Sequence, residues 1–227
     1  MRNNNLQNLQ QLLGINFKNL YLLQTAFIHR SFLNEVKSNL SSNERMEFLG
    51  DAVLSFIISS YLFKIRPKDT EGDLTNLRSF IVKTDSLAKA ASKLNLGEYL
   101  KLSKGEESSG GRASIQLLAN TYEALLGAVY LDGGLEMAQK MVERTLLPNF
   151  RDELKIGPPK DAKSALQEIT QERFKKSPYY KILKTSGPDH AKTFMVGVYI
   201  NGKMMGQGQG TSKQEGEDKA AQKALKN

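Results

Sequence analysis

The chain has 227 residues with no cysteine and only two histidines, which rules out a disulfide framework and thiolate metal sites and all but rules out multi-histidine zinc sites. Its formal net charge is +8. Residues 160–227 contribute 13 Lys and Arg against 7 Asp and Glu, while residues 1–159 contribute 19 against 17, so a basic tail follows a near-neutral body and points to a polyanionic partner.

Apolar periodicity predicts helices over 6–13, 20–26, 46–65, 73–93, 117–131 and 135–153, with a loop over 103–114 and no strand before residue 154. No apolar run is expected to reach the ~20 residues that cross a bilayer. Met1-Arg2-Asn3-Asn4-Asn5 is polar where a signal peptide needs an apolar core, so a cytoplasmic protein without a membrane partner is expected.

The helix over 46–65 is apolar nearly all round, as in a helix buried within a domain, yet Glu44, Glu47 and Asp51 share one face at i, i+3 and i+7. None of the three has a Lys or Arg four residues on. Partly buried carboxylates repel one another unless a cation or proton compensates, so a bound metal is the economical explanation. The helix over 117–131 has one charge, Glu123, with the amide of Asn120 three residues earlier on the same face. An oxygen-only donor set favours a hard cation, Mg²⁺ or Mn²⁺. Phe48, beside Glu47, is either a core phenylalanine or a contact with a partner chain. His29 is expected to be a hydrogen-bonded packing residue.

Gly157-Pro158-Pro159 ends the last of these helices and opens a stiff connector over 155–160. Beyond it the pattern predicts a helix over 164–174, strands over 180–185, 193–200 and 203–208, and a helix over 212–226, in the order αβββα. Asn201-Gly202 marks a tight hairpin, because both turn positions tolerate positive φ. The run Gly206-Gln207-Gly208-Gln209-Gly210-Thr211-Ser212-Lys213 lacks the order of a nucleotide P-loop and is expected to be strand-edge and turn glycine.

Taken together, the stretch Asn43-Glu44-Arg45-Met46-Glu47-Phe48-Leu49-Gly50-Asp51-Ala52-Val53-Leu54 resembles the signature of the ribonuclease III family. The resemblance continues through His29-Arg30-Ser31, Gly72-Asp73-Leu74-Thr75, Ser109-Gly110-Gly111-Arg112 and Glu123-Ala124-Leu125-Leu126-Gly127, in order and spacing. Leu166-Gln167-Glu168, Gly187-Pro188-Asp189-His190 and Ser212-Lys213 resemble the double-stranded RNA-binding domain. The implied architecture is an all-α endonuclease domain over 1–154, a linker over 155–160 and a small α+β double-stranded RNA-binding domain over 161–227.

The resemblance implies a homodimeric endonuclease that hydrolyses double-stranded RNA to 5′-phosphate and 3′-hydroxyl ends with short 3′ overhangs, in processing of ribosomal and other RNA. Glu44, Glu47, Asp51 and Glu123 would be its catalytic acids; Glu47, Asp51, Asn120 and Glu123 would hold Mg²⁺, and Phe48 would plug into the partner subunit. Gln167, Glu168, Gln171, Pro188 and His190 would meet minor-groove hydroxyls, and Ser212, Lys213 and Gln214 would meet phosphates at a helix N-terminus. The family usually has Asp where this chain has Asn120, and usually a second lysine where it has Gln214. The competing function is a double-stranded RNA binder with a silent nuclease fold. Retention of Glu44, Glu47, Asp51 and Glu123 favours the enzyme.

Overall fold

The structure is a computed structural model in which residues 3–36, 39–157, 162–188 and 192–226 are described. The chain divides into two compact units, 1–158 and 159–227.

The first unit is helical: α1 (Asn3–Leu13), α2 (Leu20–Thr25), α3 (Arg30–Leu33), α4 (Glu44–Ile65), α5 (Glu71–Val82), α6 (Thr84–Lys93), α7 (Lys104–Ser108), α8 (Ile115–Thr145) and α9 (Arg151–Ile156). Its centre is the packing of α4 on α8. Leu54 and Ile58 of α4 and Tyr122, Leu125 and Val129 of α8 are essentially buried, and each such aliphatic side chain is worth about 1.5–3 kcal/mol out of water. Two glycines set how close the helices come. A Cβ on Gly50 would lie 1.8 Å from the Glu123 carbonyl oxygen, and one on Gly127 would lie 2.2 Å from that of Met46. Only residues without a side chain allow this approach.

The start of α4 is fixed by buried Asn43. Its Nδ2 donates to the Ala26 carbonyl at 3.2 Å and its backbone N–H to that of Ile28 at 2.8 Å. Buried amide groups without partners are costly, so this pair of bonds locks where the helix enters the domain.

Several expectations change here. The helix predicted over 73–93 is two helices, because Lys83 takes an extended conformation and Ser86 turns back to donate to the Phe80 carbonyl. The helix predicted over 135–153 ends at Thr145; Pro148, which lacks an N–H, sits in a 3₁₀ turn over Leu147–Phe150, and α9 follows as far as Ile156. The expected break before residue 135 is present as Gly134 at φ 74° inside α8. The predicted loop over 103–114 holds α7, capped by the Ser103 side chain, and a 3₁₀ turn over Gly111–Ala113. The expected linker begins inside α9, and its residues 158–160 lie outside the described residues.

Helix α4 departs furthest from expectation. It is long and apolar enough, by length and composition, to cross a membrane, contrary to the reading that no run would be. It is also not buried all round. Phe48, Phe56 and Phe63 are 81%, 56% and 75% exposed along one stripe, opposite the side that packs on α8.

The second unit comprises α10 (Ala162–Phe174), a three-stranded antiparallel sheet of β1 (Tyr179–Ser186), β2 (Thr193–Ile200) and β3 (Lys203–Gly210), and α11 (Lys213–Ala224). Asn201 and Gly202 both have positive φ, as the hairpin requires. The glycines of β3 lie on an edge strand, as expected, and also form a packing seam. Gly206, Gly208 and Gly210 alternate onto one face of the strand, and a Cβ on Gly208 would lie 2.4 Å from the Ala220 backbone nitrogen. Buried Gly216, Ala220 and Ala224, at i, i+4 and i+8 of α11, lie against that bare face.

Candidate functional site

Helices α4 and α8, held at glycine distance, bring their acids to one place. Glu47 and Asp51 come from α4, and Asn120 and Glu123 from α8. Glu123 is half-buried beside the charges of Asp51 and Glu47, and loss of hydration together with that repulsion pushes its carboxyl up to about 7. Burial also raises Glu47, with a further push from Glu44 and a counter-pull from a hydrogen bond to the Asn120 side chain. The acids are thus short of compensating positive charge.

A small pocket beside them is lined by His29, Arg30, Asn43, Glu44, Glu47 and Asn120, among others. Glu44 is close enough to raise Glu47 and has partners of its own. Its carboxylate accepts from Arg30 at 3.4 Å and from the Ser42 hydroxyl at 2.9 Å. His29 is hydrogen-bonded as expected, its Nδ1 lying 2.8 Å from the Ser31 hydroxyl at the start of α3.

Among the described residues no three His, Asp or Glu side chains converge tightly enough to form a finished metal cage. The chemistry of the donor set nonetheless fits a hard divalent cation. Clustered carboxylates, of which Glu123 is raised first by burial and then by Asp51 and Glu47, are the oxygen ligands such an ion prefers.

Sequence reading missed three features of this site. Arg30 pairs with Glu44, although nothing in their spacing of fourteen signals a contact. Gly50 and Gly127 set the helix separation. Gln116 donates through Nε2 to the Asn120 Oδ1 at 2.7 Å, and its position four residues before Asn120 was a readable signal.

In the second unit, Gln167, Glu168 and Gln171 are exposed along one side of α10, and Pro188 is exposed after β1. Ser212 caps α11 by accepting from the Glu215 N–H at 3.1 Å, and Lys213 and Gln214 are exposed in its first turn. Lys219 is engaged by Glu215 at 2.7 Å, which fits a solvated helix face. His190 lies outside the described residues.

Residues 19–150 match the family profile described as Ribonuclease-III-like, and residues 162–227 match the double-stranded RNA binding motif. Ribonuclease 3 of Treponema denticola is 45% identical over 226 residues, covering 100% of this chain and 92% of the relative. This chain belongs to the ribonuclease III family. Ribonuclease 3 of Pelotomaculum thermopropionicum is 48% identical over 218 residues, covering 96% of this chain and 90% of the relative. The solved nuclease domain of ribonuclease III from Campylobacter jejuni superposes with a TM-score of 0.61 at 40% identity, covering 67% of this chain and 99% of that one. A second structure of that domain, concerned with flexibility in a region involved in dimer formation, gives a TM-score of 0.59 at 42% identity, covering 63% and 96%. The ribonuclease III signature in this chain is therefore the segment that starts α4, and the family's RNA-binding module is the αβββα unit.

Proposed function

We propose that the protein is a divalent-metal-dependent endonuclease that hydrolyses double-stranded RNA to 5′-phosphate and 3′-hydroxyl ends with short 3′ overhangs, in processing of ribosomal and other RNA in the cytoplasm. The observation that supports this most strongly is the convergence of Glu47, Asp51 and Glu123 from two closely packed helices, with Glu123 held protonated up to about neutral pH. A double-stranded RNA-binding module in the same chain supplies the substrate class.

In this reading Glu47, Asp51, Asn120 and Glu123 would hold Mg²⁺ or Mn²⁺. A divalent cation bound there would supply Lewis acidity toward water and the scissile phosphate. The chain's own part is placement: α4 and α8 fix the carboxylates, and Asn43 fixes where α4 begins. Arg30, beside Glu44, offers a cation to the incoming RNA backbone. The exposed first turn of α11 presents Lys213 and free N–H groups to phosphates, while α10 meets the minor groove through Gln167, Glu168 and Gln171.

The active form is a homodimer. Phe48, Phe56 and Phe63 give α4 an apolar stripe of a kind that folded monomers rarely expose. The silent-binder alternative gains support only from Asn120.

The test is Glu123→Gln in the full-length protein. Cleavage of duplex RNA in Mg²⁺ should be lost while duplex affinity in Ca²⁺ is retained. Unchanged Mg²⁺-dependent turnover would remove Glu123 from the site.

A further inference from the structure

The sheet of the second unit is covered on one face only. Val196, Val198 and Ile200 of β2 are buried on the side of α10 and α11. Strand alternation turns Gly197 and Tyr199 to the other side, and with them their neighbours across the sheet: Tyr199 pairs with Tyr179 of β1, and Gly197 with Lys181 of β1 and Gln207 of β3. On this outer face the rings of Tyr179 and Tyr199 stack with centroids 5.1 Å apart and planes at 10°. Tyr179 is half-exposed, and Lys181, Lys184 and Gln207 are exposed. The three strands carry Lys181, Lys184 and Lys203 and no acid.

We propose that this outer face is a second RNA site, one that takes a single strand. Bases stack on the exposed Tyr179 ring and the pair it forms with Tyr199, Lys181 and Lys184 meet the backbone phosphates, and Gln207, across Gly197, reaches base edges. Stacking rings select the unpaired form, because a duplex keeps its base faces inside. The charge selects a polyanion: a second copy docking this face on itself would set lysines against lysines. The helices α10 and α11, which carry the duplex-facing residues, pack on the opposite side of the sheet, so a strand held here leaves them free. The unit could then hold a duplex and an adjoining unpaired segment at once. This goes beyond the nuclease reading and requires neither the metal site nor cleavage.

Fluorescence anisotropy of a labelled uridine dodecamer with the full-length protein in EDTA tests the proposal. The single strand should bind, more weakly as salt rises, and should stay bound when unlabelled duplex RNA is added to saturation. Tyr179→Ala should weaken it about fivefold or more, and Lys181→Gln about threefold or more, each with less than about a twofold change in duplex affinity. Lys181 is exposed, so Lys181→Gln decides the matter if Tyr179→Ala loses duplex binding as well. No binding of the dodecamer, its displacement by the duplex, or an unchanged single-strand affinity in Lys181→Gln would overturn the proposal. A Tyr179→Ala protein that loses self-association while binding the dodecamer as before would give the face to a second copy and overturn it too. A protein that leaves duplex uncut in Mg²⁺ would contradict the nuclease reading and leave these results as they stand.

Discussion

Gly127 lies so close to Met46 that a single added methyl group would sit 2.2 Å from the Met46 carbonyl oxygen. Gly50 meets Glu123 in the same manner from the opposite helix, so the separation of α4 and α8 is set by backbone against backbone. The acids converge because of that separation.

Gly127→Ala should therefore push the helices apart at the point where Glu47 and Glu123 face each other. Overpacking a core costs about 1–3 kcal/mol, and here the obstacle is backbone that cannot rotate away, so a loss at the upper end is expected. At about 2–4 °C per kcal/mol for a domain of this size, the melting temperature should fall by roughly 5 °C or more. Mn²⁺ affinity should fall with it. Thermal unfolding and metal titration of the variant check both, and an unchanged metal affinity would mean that the carboxylate separation does not depend on this contact.

The raised carboxyl of Glu123 gives the metal-free protein a specific pH dependence. The unfolded chain loses that proton near 4.5 and the folded chain near 7. Below 4.5 both forms hold it, so the contribution to stability is fully present. As pH rises through this window the folded state retains a proton the unfolded state has lost, and stability falls, by on the order of 2–3 kcal/mol for a shift of this size. Denaturant unfolding in EDTA at pH 4.5, 6 and 8 should show the decline in the first unit, and Glu123→Gln should flatten it. A variant with the same pH profile as the parent would assign the dependence elsewhere.

Much of this was legible in the sequence. The helical body, the αβββα tail and the Asn201-Gly202 hairpin follow from periodicity and turn chemistry, which depend on residues near one another in the chain. The acids were legible because charge on an apolar helix is anomalous wherever it occurs. The depth of burial of α4 was not, since a phenylalanine stripe reads the same whether it faces a core or another molecule; only the placement of α8 on the other side separates the two. The short connections were misread for the opposite reason. Lys83 and Pro148 interrupt helices whose apolar pattern continues across the break. The Gly206-Gly208-Gly210 seam has strand periodicity, but nothing in β3 itself announces that α11 covers it.

That seam yields a prediction for the second unit. Gly208→Ala places a methyl 2.4 Å from the Ala220 nitrogen and 2.6 Å from the Gly216 carbonyl oxygen, so α11 must lift from the sheet and carry Ser212 and Lys213 with it. Duplex RNA affinity, measured by gel shift at fixed salt because phosphate contacts are salt-sensitive, should fall tenfold or more. Mn²⁺ binding by the first unit should not change. Retained RNA affinity would mean that the start of α11 does not hold the backbone.

The exposed stripe on α4 makes its own prediction. Phe48→Glu puts a charge at the most exposed of its three phenylalanines, and desolvating an unpaired charge within an interface is costly. In sedimentation velocity at micromolar concentration the unsubstituted chain should run as a dimer and the variant as a monomer. A variant that remains dimeric would place the interface elsewhere.

The most direct measurement is incubation of the purified full-length protein with a long, end-labelled RNA duplex, with Mg²⁺ and with EDTA. Cleavage in Mg²⁺ alone, with products that bear a 5′-phosphate and a two-stranded cut with short 3′ overhangs, is the expected result. A duplex that stays intact in Mg²⁺ while still shifting on a gel would contradict the nuclease reading and leave a double-stranded RNA binder in its place.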